Sequence, residues 1–273
     1  MAENPQLASP ASTASEAVPL AAKWRGQLRI DSIIDETPVV RTSRLRALGT
    51  ASLPFTFAPG QFLKIAFWIG GARMNRSYFI SSSPNERDSV DLTIKREPRG
   101  AVSRHIVDLL NVGDVIEAGG PVGKFTFNGT EAESIVLLSA GVGITPMACI
   151  ARYLTEQKWP GEIFFIYSCR TEADFMFQKA LVELEHRNPK LHVVVTMTKA
   201  GPDWKGPRGR LTKEWLTGVV PDLESRRVHV CGPPTMMDGA KAILTEIGVS
   251  SEKSQNGGVW RVQARSRHTR NHC

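Results

Sequence analysis

The sequence predicts two domains in series, an antiparallel β-barrel followed by an α/β unit on a parallel sheet. Three observations predict it. Residues 25–100 hold five strand-like segments separated by turn clusters. From Ser134 onward, apolar strands alternate with helical stretches, the pattern of a parallel sheet covered on both faces. The chain has 273 residues, which suits one or two domains of roughly 100–200 residues each.

The barrel strands are expected at 27–34, 39–45, 61–69, 76–82 and 90–95, with Ala58-Pro59-Gly60 and Ser83-Pro84-Asn85 among the turns. Strand 76–82 carries the most chemistry. It reads Arg76-Ser77-Tyr78-Phe79-Ile80-Ser81-Ser82. Alternation puts Arg76, Tyr78 and Ile80 on one face and Ser77, Phe79 and Ser81 on the other. An arginine fork matches phosphate oxygens, and a tyrosine face stacks on a flat ring. A flavin nucleotide offers both parts, although an ordinary strand with an exposed arginine reads the same way.

After it, Gly100-Ala101-Val102-Ser103 leads into a helix expected over 104–110, with Ser103 as its cap and Gly113 as its stop. Free backbone N–H groups and the helix dipole at such a start favour an anion; a capped surface helix has the same appearance. A strand at 114–118 follows, then a glycine-rich turn through 119–127 that carries Phe125 and Phe127. The first domain is placed at 24–130 and the second at 131–250.

In the second domain, 135–140 is a continuous apolar run, as expected of a buried parallel strand. Gly141-Val142-Gly143-Ile144-Thr145-Pro146 follows, with a helix expected over 146–157. Further strands are expected at 162–169, 192–198 and 227–231. Helices are expected at 177–187, from Thr212 as a cap through 216, and at 235–247. Ligands of such sheets bind beyond the carboxyl ends of the strands. Gly141 and Gly143 stand at one such end and Cys231-Gly232-Pro233 at another. Glycine lets a diphosphate approach the backbone. The third glycine of the G-x-G-x-x-G fingerprint is replaced by Pro146. A buried cysteine at 231 also reads as a small core hydrophobe.

Composition is that of a globular protein, with 41% hydrophobic and 22% charged residues. No apolar run approaches the roughly 18 residues of a membrane span, and residues 1–23 lack the pattern of a secretory signal and read as a disordered leader. The net charge is +7, and Arg261, Arg265, Arg267 and Arg270 of an acid-free tail supply four of those charges. Acids and bases are mixed elsewhere, so neither a nucleic-acid nor a membrane partner is expected. Cys149, Cys169, Cys231 and Cys273 are far apart. That spacing encodes no metal site and no iron–sulfur cluster, and it suits reduced thiols in a cytoplasm.

Four motifs in fixed order, 76–82, 100–103, 141–146 and 231–236, resemble the ferredoxin–NADP reductase superfamily. The resemblance spans about residues 25–250 and is nearest to the reductase components of bacterial oxygenases, the flavin–iron–sulfur reductases. It implies an FAD-binding barrel, an NAD(P)-binding unit, and hydride transfer from NADH or NADPH to FAD. Electrons would then pass singly to a ferredoxin, iron–sulfur or oxygenase partner. A free-flavin or quinone reductase, and a non-catalytic or truncated electron-transfer subunit, are the alternatives.

The resemblance also implies site residues. Arg76 would hold the FAD diphosphate, Tyr78 would lie against the flavin, and Phe79, Ile80, Ser81 and Ser82 would line the same place. Gly100, Ala101, Val102 and Ser103 would cradle the diphosphate. Gly141, Val142, Gly143, Thr145 and Pro146 would hold the nicotinamide nucleotide, with Ser168 and Arg170 near its ribose. Cys231, Gly232 and Pro233 would sit beside the nicotinamide, and Cys231, Tyr78 and Ser82 are the catalytic candidates. Two departures stand out. Phe79 occupies the position where the family has Ser or Thr, with Ser81 or Ser82 as possible substitutes for that hydroxyl. The stretch 251–273 looks like neither the family's terminal strand nor a ferredoxin domain, and reads as a disordered extension or the product of a shifted frame.

Overall fold

The computed structural model describes residues 24–257. The leader 1–23 and most of the basic tail, 258–273, lie outside the described residues. The first sheet has six antiparallel strands: β1 (Trp24–Thr37), β2 (Val40–Ala47), β3 (Phe62–Ile69), β4 (Ala72–Phe79), β5 (Val90–Lys95) and β6 (Val115–Val122). Their order is β4-β3-β6-β1-β2-β5, so β4 and β5 are the two edges. The sheet curls until these edges meet at one end. There Ile80 bridges Leu92 and the Ser81 N–H donates to the Asp91 carbonyl at 2.9 Å. The inward residues alternate along each strand, as a half-buried sheet requires. Leu28 and Ile30, Leu63 and Ile65, and Leu92 and Ile94 join one core.

Several bounds differ from the sequence reading, and the strand expected at 76–82 is β4, Ala72–Phe79, so Ser81 and Ser82 lie beyond its end. The glycine-rich piece at 119–122 is strand, because β6 runs on and pairs with Trp24 and Arg25 of β1. The helix begins earlier than expected. Helix α1 (Ala101–Arg104) has Gly100 as its N-cap, and a wider turn, His105–Leu109, completes it. Ser103 is therefore not the cap. Its hydroxyl accepts from the Glu97 N–H at 3.1 Å and donates to the Gly100 carbonyl at 3.2 Å, which folds the loop back onto the helix start.

The second sheet is parallel: β7 (Ser134–Ala140), β8 (Glu162–Cys169), β9 (Leu191–Met197), β10 (Arg227–Cys231) and β11 (Ser254–Asn256), in the order β11-β10-β7-β8-β9. Four helices cover it: α2 (Ile144–Glu156), α3 (Gln178–Arg187), α4 (Lys213–Val219) and α5 (Pro234–Ile247). Thr212 caps α4 as expected, accepting from the Trp215 N–H at 3.2 Å. Strand alternation sorts the two faces. Ile135, Leu137, Phe165, Tyr167 and Cys231 pack with α2, α3 and the barrel's Phe79, Phe125 and Phe127. Val136, Leu138, Ile166, Val228 and Val230 pack under α4 and α5.

Strand β11 corrects the reading of the segment after 250. Ser254-Gln255-Asn256 has no apolar pattern, yet its backbone pairs with Val228, His229 and Val230 of β10. The ladder comes from the edge that β10 leaves open, not from side-chain preference.

Candidate functional site

The sheet order changes direction between β7 and β10. Chain leaving β7 through α2 goes to β8 on one side, and chain leaving β10 through α5 goes to β11 on the other. The two strand ends at this switch are Ala140-Gly141 and Cys231-Gly232, and they touch. A Cβ on Gly143 would lie 2.2 Å from the Cys231 carbonyl oxygen, and one on Gly232 would lie 3.2 Å from the Ala140 N and O atoms. Only bare backbone allows that approach. Gly141 has φ +52° and faces open space. Thr145 and Pro146 lie in the first turn of α2, buried, with the Thr145 hydroxyl donating to the Val142 carbonyl at 3.0 Å. The glycines selected from the sequence thus form one backbone cradle at a helix start, the place where a diphosphate fits.

On the barrel side, Arg76 and Tyr78 lie on edge strand β4, and α1 follows the opposite edge, β5. Arg76 is exposed, and its Nη1 donates to the Asn75 carbonyl at 2.7 Å. Tyr78 packs against the barrel core, and its burial holds the phenol well above its ordinary pKa, so it stays protonated. Gly100 has extended backbone and makes no side-chain cap bond, so backbone N–H groups stand free at the start of α1.

Phe79 points the opposite way from Tyr78, as alternation requires. It is buried across the domain junction, its ring 6.0 Å from Phe62 and 5.8 Å from Phe125. Phe125 and Cys231 belong to the same buried cluster. Residue 79 of the barrel and residue 231 of the parallel sheet therefore line one apolar crossing. Cys231 is fully buried, and its thiol is pushed up to about 12 by desolvation, which keeps it neutral. Its Sγ donates to the Gly257 carbonyl at 3.5 Å, which places the end of the β11 segment directly over it.

The serines expected nearby are drawn inward. Ser81 Oγ lies 2.9 Å from Thr93 Oγ1, and Ser82 Oγ accepts from the Asp91 N–H at 3.0 Å. Both are buried. The Ser81 hydroxyl is engaged with β5, while the Ser82 oxygen accepts a backbone N–H and its O–H has no partner among the described residues. Ser168 is buried and Arg170 exposed at the end of β8, on the far side of β7 from Cys231.

Sequence reading overlooked the residues that fix the junction. Arg152 of α2 donates to the Ser81 carbonyl, and Glu156 accepts from Ser83 and from Asn85 Nδ2, the latter at 2.7 Å. Trp159 Nε1 donates to the Gly129 carbonyl at 2.9 Å. His229 of β10 packs 4.8 Å from Phe125. A basic residue four before an acidic one on α2 was the available signal for the first pair.

Comparisons with known proteins agree with the two-domain fold. The pattern described as an oxidoreductase FAD-binding domain matches residues 28–127, and that described as an oxidoreductase NAD-binding domain matches residues 137–242. The chain is 35% identical over 227 residues to the glycine betaine monooxygenase reductase subunit of Chromohalobacter salexigens, covering 82% of this chain and 61% of that protein. It is 33% identical over 191 residues to NADH-cytochrome b5 reductase 1 of Dictyostelium discoideum, covering 69% of this chain and 66% of that protein. The chain thus spans about three fifths of the length of the first of these relatives. Among solved structures, the FAD/NAD-binding domain of a nitric oxide dioxygenase from Vibrio cholerae superposes with a TM-score of 0.77 at 23% identity, over 85% of this chain and 97% of that domain. No helix among the described residues is long and apolar enough to cross a membrane. With an FAD-binding half-barrel and an NAD-binding parallel-sheet unit in series, the chain is an oxidoreductase with the two-domain fold of the ferredoxin–NADP reductases.

Proposed function

We propose that this chain is an FAD-dependent NAD(P)H reductase that takes a hydride from the nicotinamide and delivers electrons to a separate iron–sulfur or oxygenase protein. The observation that carries it is the crossing itself. Phe79 and Phe125 of the FAD-binding half share a buried cluster with Cys231, which ends a strand at the switch point of the NAD-binding half. The similarity to a monooxygenase reductase subunit supports the kind of acceptor.

FAD, when bound, supplies the redox chemistry. The chain's own residues hold and shield it. Arg76 and the N–H groups after Gly100 suit its diphosphate, and Tyr78 suits its ring. The cradle of Gly141, Gly143 and Gly232 suits the diphosphate of the second nucleotide. The neutral Cys231 thiol acts by contact, not as a base or nucleophile, because a thiolate is unfavourable at that depth. The apolar wall of Phe79 and Phe125 excludes water between the two rings.

Purified protein reconstituted with FAD is expected to be yellow and to bleach anaerobically on addition of NADH or NADPH. Protein that takes up no FAD contradicts the reading. Cytochrome c reduction that requires an added ferredoxin supports a protein acceptor, whereas direct turnover of a quinone or free flavin supports a diffusible one.

A further inference from the structure

We propose that His229 is a positioning residue, whose ring sets how closely the strand end carrying Cys231 stands against the Phe79–Phe125 wall of the barrel. On the reading above, that spacing is the spacing of the two nucleotide rings, so the inference stands on that reading and sharpens it.

His229 lies on β10 two residues before Cys231, on the same face, about 6–7 Å along the strand. Its neighbours Val228 and Val230 point to the opposite core. The imidazole is fully buried. It is gripped by two rings of the barrel's exit segment, Phe125 at 4.8 Å and Phe127 at 5.9 Å between centroids. Its Nε2 donates to the carbonyl of Thr126, the residue between those two phenylalanines, at 3.2 Å. Gln255 of β11 lies 3.1 Å from the same nitrogen, and with the proton on Nε2 it is the amide oxygen that faces it. Nδ1 is buried with no hydrogen-bond partner.

A leucine or phenylalanine would fill this space without an orphaned nitrogen, and a buried polar atom without a partner is costly. Packing alone therefore does not account for histidine here. What the imidazole adds is direction. Apolar contact is roughly proportional to area and tolerates sliding, while a hydrogen bond fixes distance and angle. The Nε2–Thr126 bond is thus a strut from the strand of Cys231 to the chain segment of Phe125, and Phe125 is the ring that touches Phe79. Reacting groups held in near-attack geometry lose roughly 100-fold in rate when displaced by about 1 Å.

The test compares the FAD-loaded wild type with His229→Leu, His229→Gln and His229→Asn. It uses anaerobic single-turnover reduction at saturating nucleotide, together with FAD affinity, nucleotide affinity and Tm. If the wild type does not bleach, the reductase reading falls and this inference with it. If it does, His229→Leu is expected to keep Tm and both affinities and to lose rate by roughly 10- to 100-fold, with a weaker nicotinamide–flavin charge-transfer band. His229→Gln, long enough to donate to Thr126, is expected to recover most of the rate and the band. A His229→Leu protein that reduces at the wild-type rate overturns the proposal. Should His229→Leu fail to fold, Gln against the shorter Asn decides, and equal rates in those two overturn it. If all three variants lose FAD, the role is structural and the proposal is wrong.

Discussion

Arg76 is exposed on edge strand β4, and among the described residues its guanidinium is bonded to the carbonyl of its own neighbour Asn75. A cation placed there has nothing to neutralise within the barrel wall, which is why a diphosphate suits it. Arg76→Ala is expected to weaken FAD binding by roughly 1.5–3 kcal/mol, with Tm of the FAD-free protein unchanged; equilibrium titration with FAD checks this, and unchanged affinity contradicts it. Phe79 is the reverse case, an apolar ring where the family resemblance implies a hydroxyl. Because it is wedged between Phe62 and Phe125, Phe79→Ser is expected to destabilise the protein by roughly 3 kcal/mol or more through the cavity it leaves. The same change supplies the missing donor, so flavin reduction by NAD(P)H is expected to accelerate in the protein that remains folded. Denaturant melts and stopped-flow absorbance measure the two effects separately. A faster melt without a faster reduction would assign the ring to packing alone.

At the scale of elements, the site depends on two turns meeting where the sheet changes direction. The Cβ of Gly143→Ala would collide with the backbone of Cys231 and Gly232, and backbone yields far less easily than a flexible side chain. This variant is expected to retain FAD and lose nicotinamide binding; a dissociation constant for NADPH or NADH equal to wild type contradicts the cradle.

These two turns were legible from the sequence because apolar runs ending in glycine mark buried parallel strands and their ligand ends, and Gly141, Gly143 and Gly232 were all selected. Alternation along 76–82 was equally legible, and Tyr78 and Phe79 do face opposite ways. What escaped was set by partners distant in sequence. Ser103 has the chemistry of a cap, but its hydroxyl is taken by Glu97 and the helix starts three residues earlier. The polar Ser254-Gln255-Asn256 has no strand pattern and is strand only because β10 offers an open edge. Ser81 and Ser82 read as ligand groups, and both side-chain oxygens also tie the closing end of the barrel to β5, which the sequence did not signal.

The whole molecule is two cores joined at a seam, and the seam has a pH dependence of its own. Desolvation, aided by the nearby Arg227, lowers the His229 pKa to about 4. The unfolded imidazole takes up its proton near 6.5 while the folded one resists until about 4, so the unfolded state binds more protons in that window. Stability therefore falls as pH drops from about 6.5 towards 4, by roughly 3 kcal/mol at the acid end. The share owed to His229 is read from the difference between wild type and His229→Leu in denaturant melts at neutral and mildly acid pH. The wild type is expected to lose more stability than the variant, and parallel losses contradict the assignment.

On the proposed function that seam is also where the two nucleotide sites meet, so the most direct test follows the transferred hydrogen. FAD-loaded protein is mixed anaerobically with saturating NADH or NADPH carrying either hydrogen or deuterium at the transferring carbon, and the flavin absorbance is followed through one turnover. Rings held face to face across the Phe79–Cys231 crossing predict bleaching that is slower with deuterium. Protein that binds both nucleotides yet leaves the flavin spectrum unchanged, or bleaches at the same rate with either isotope, contradicts the account.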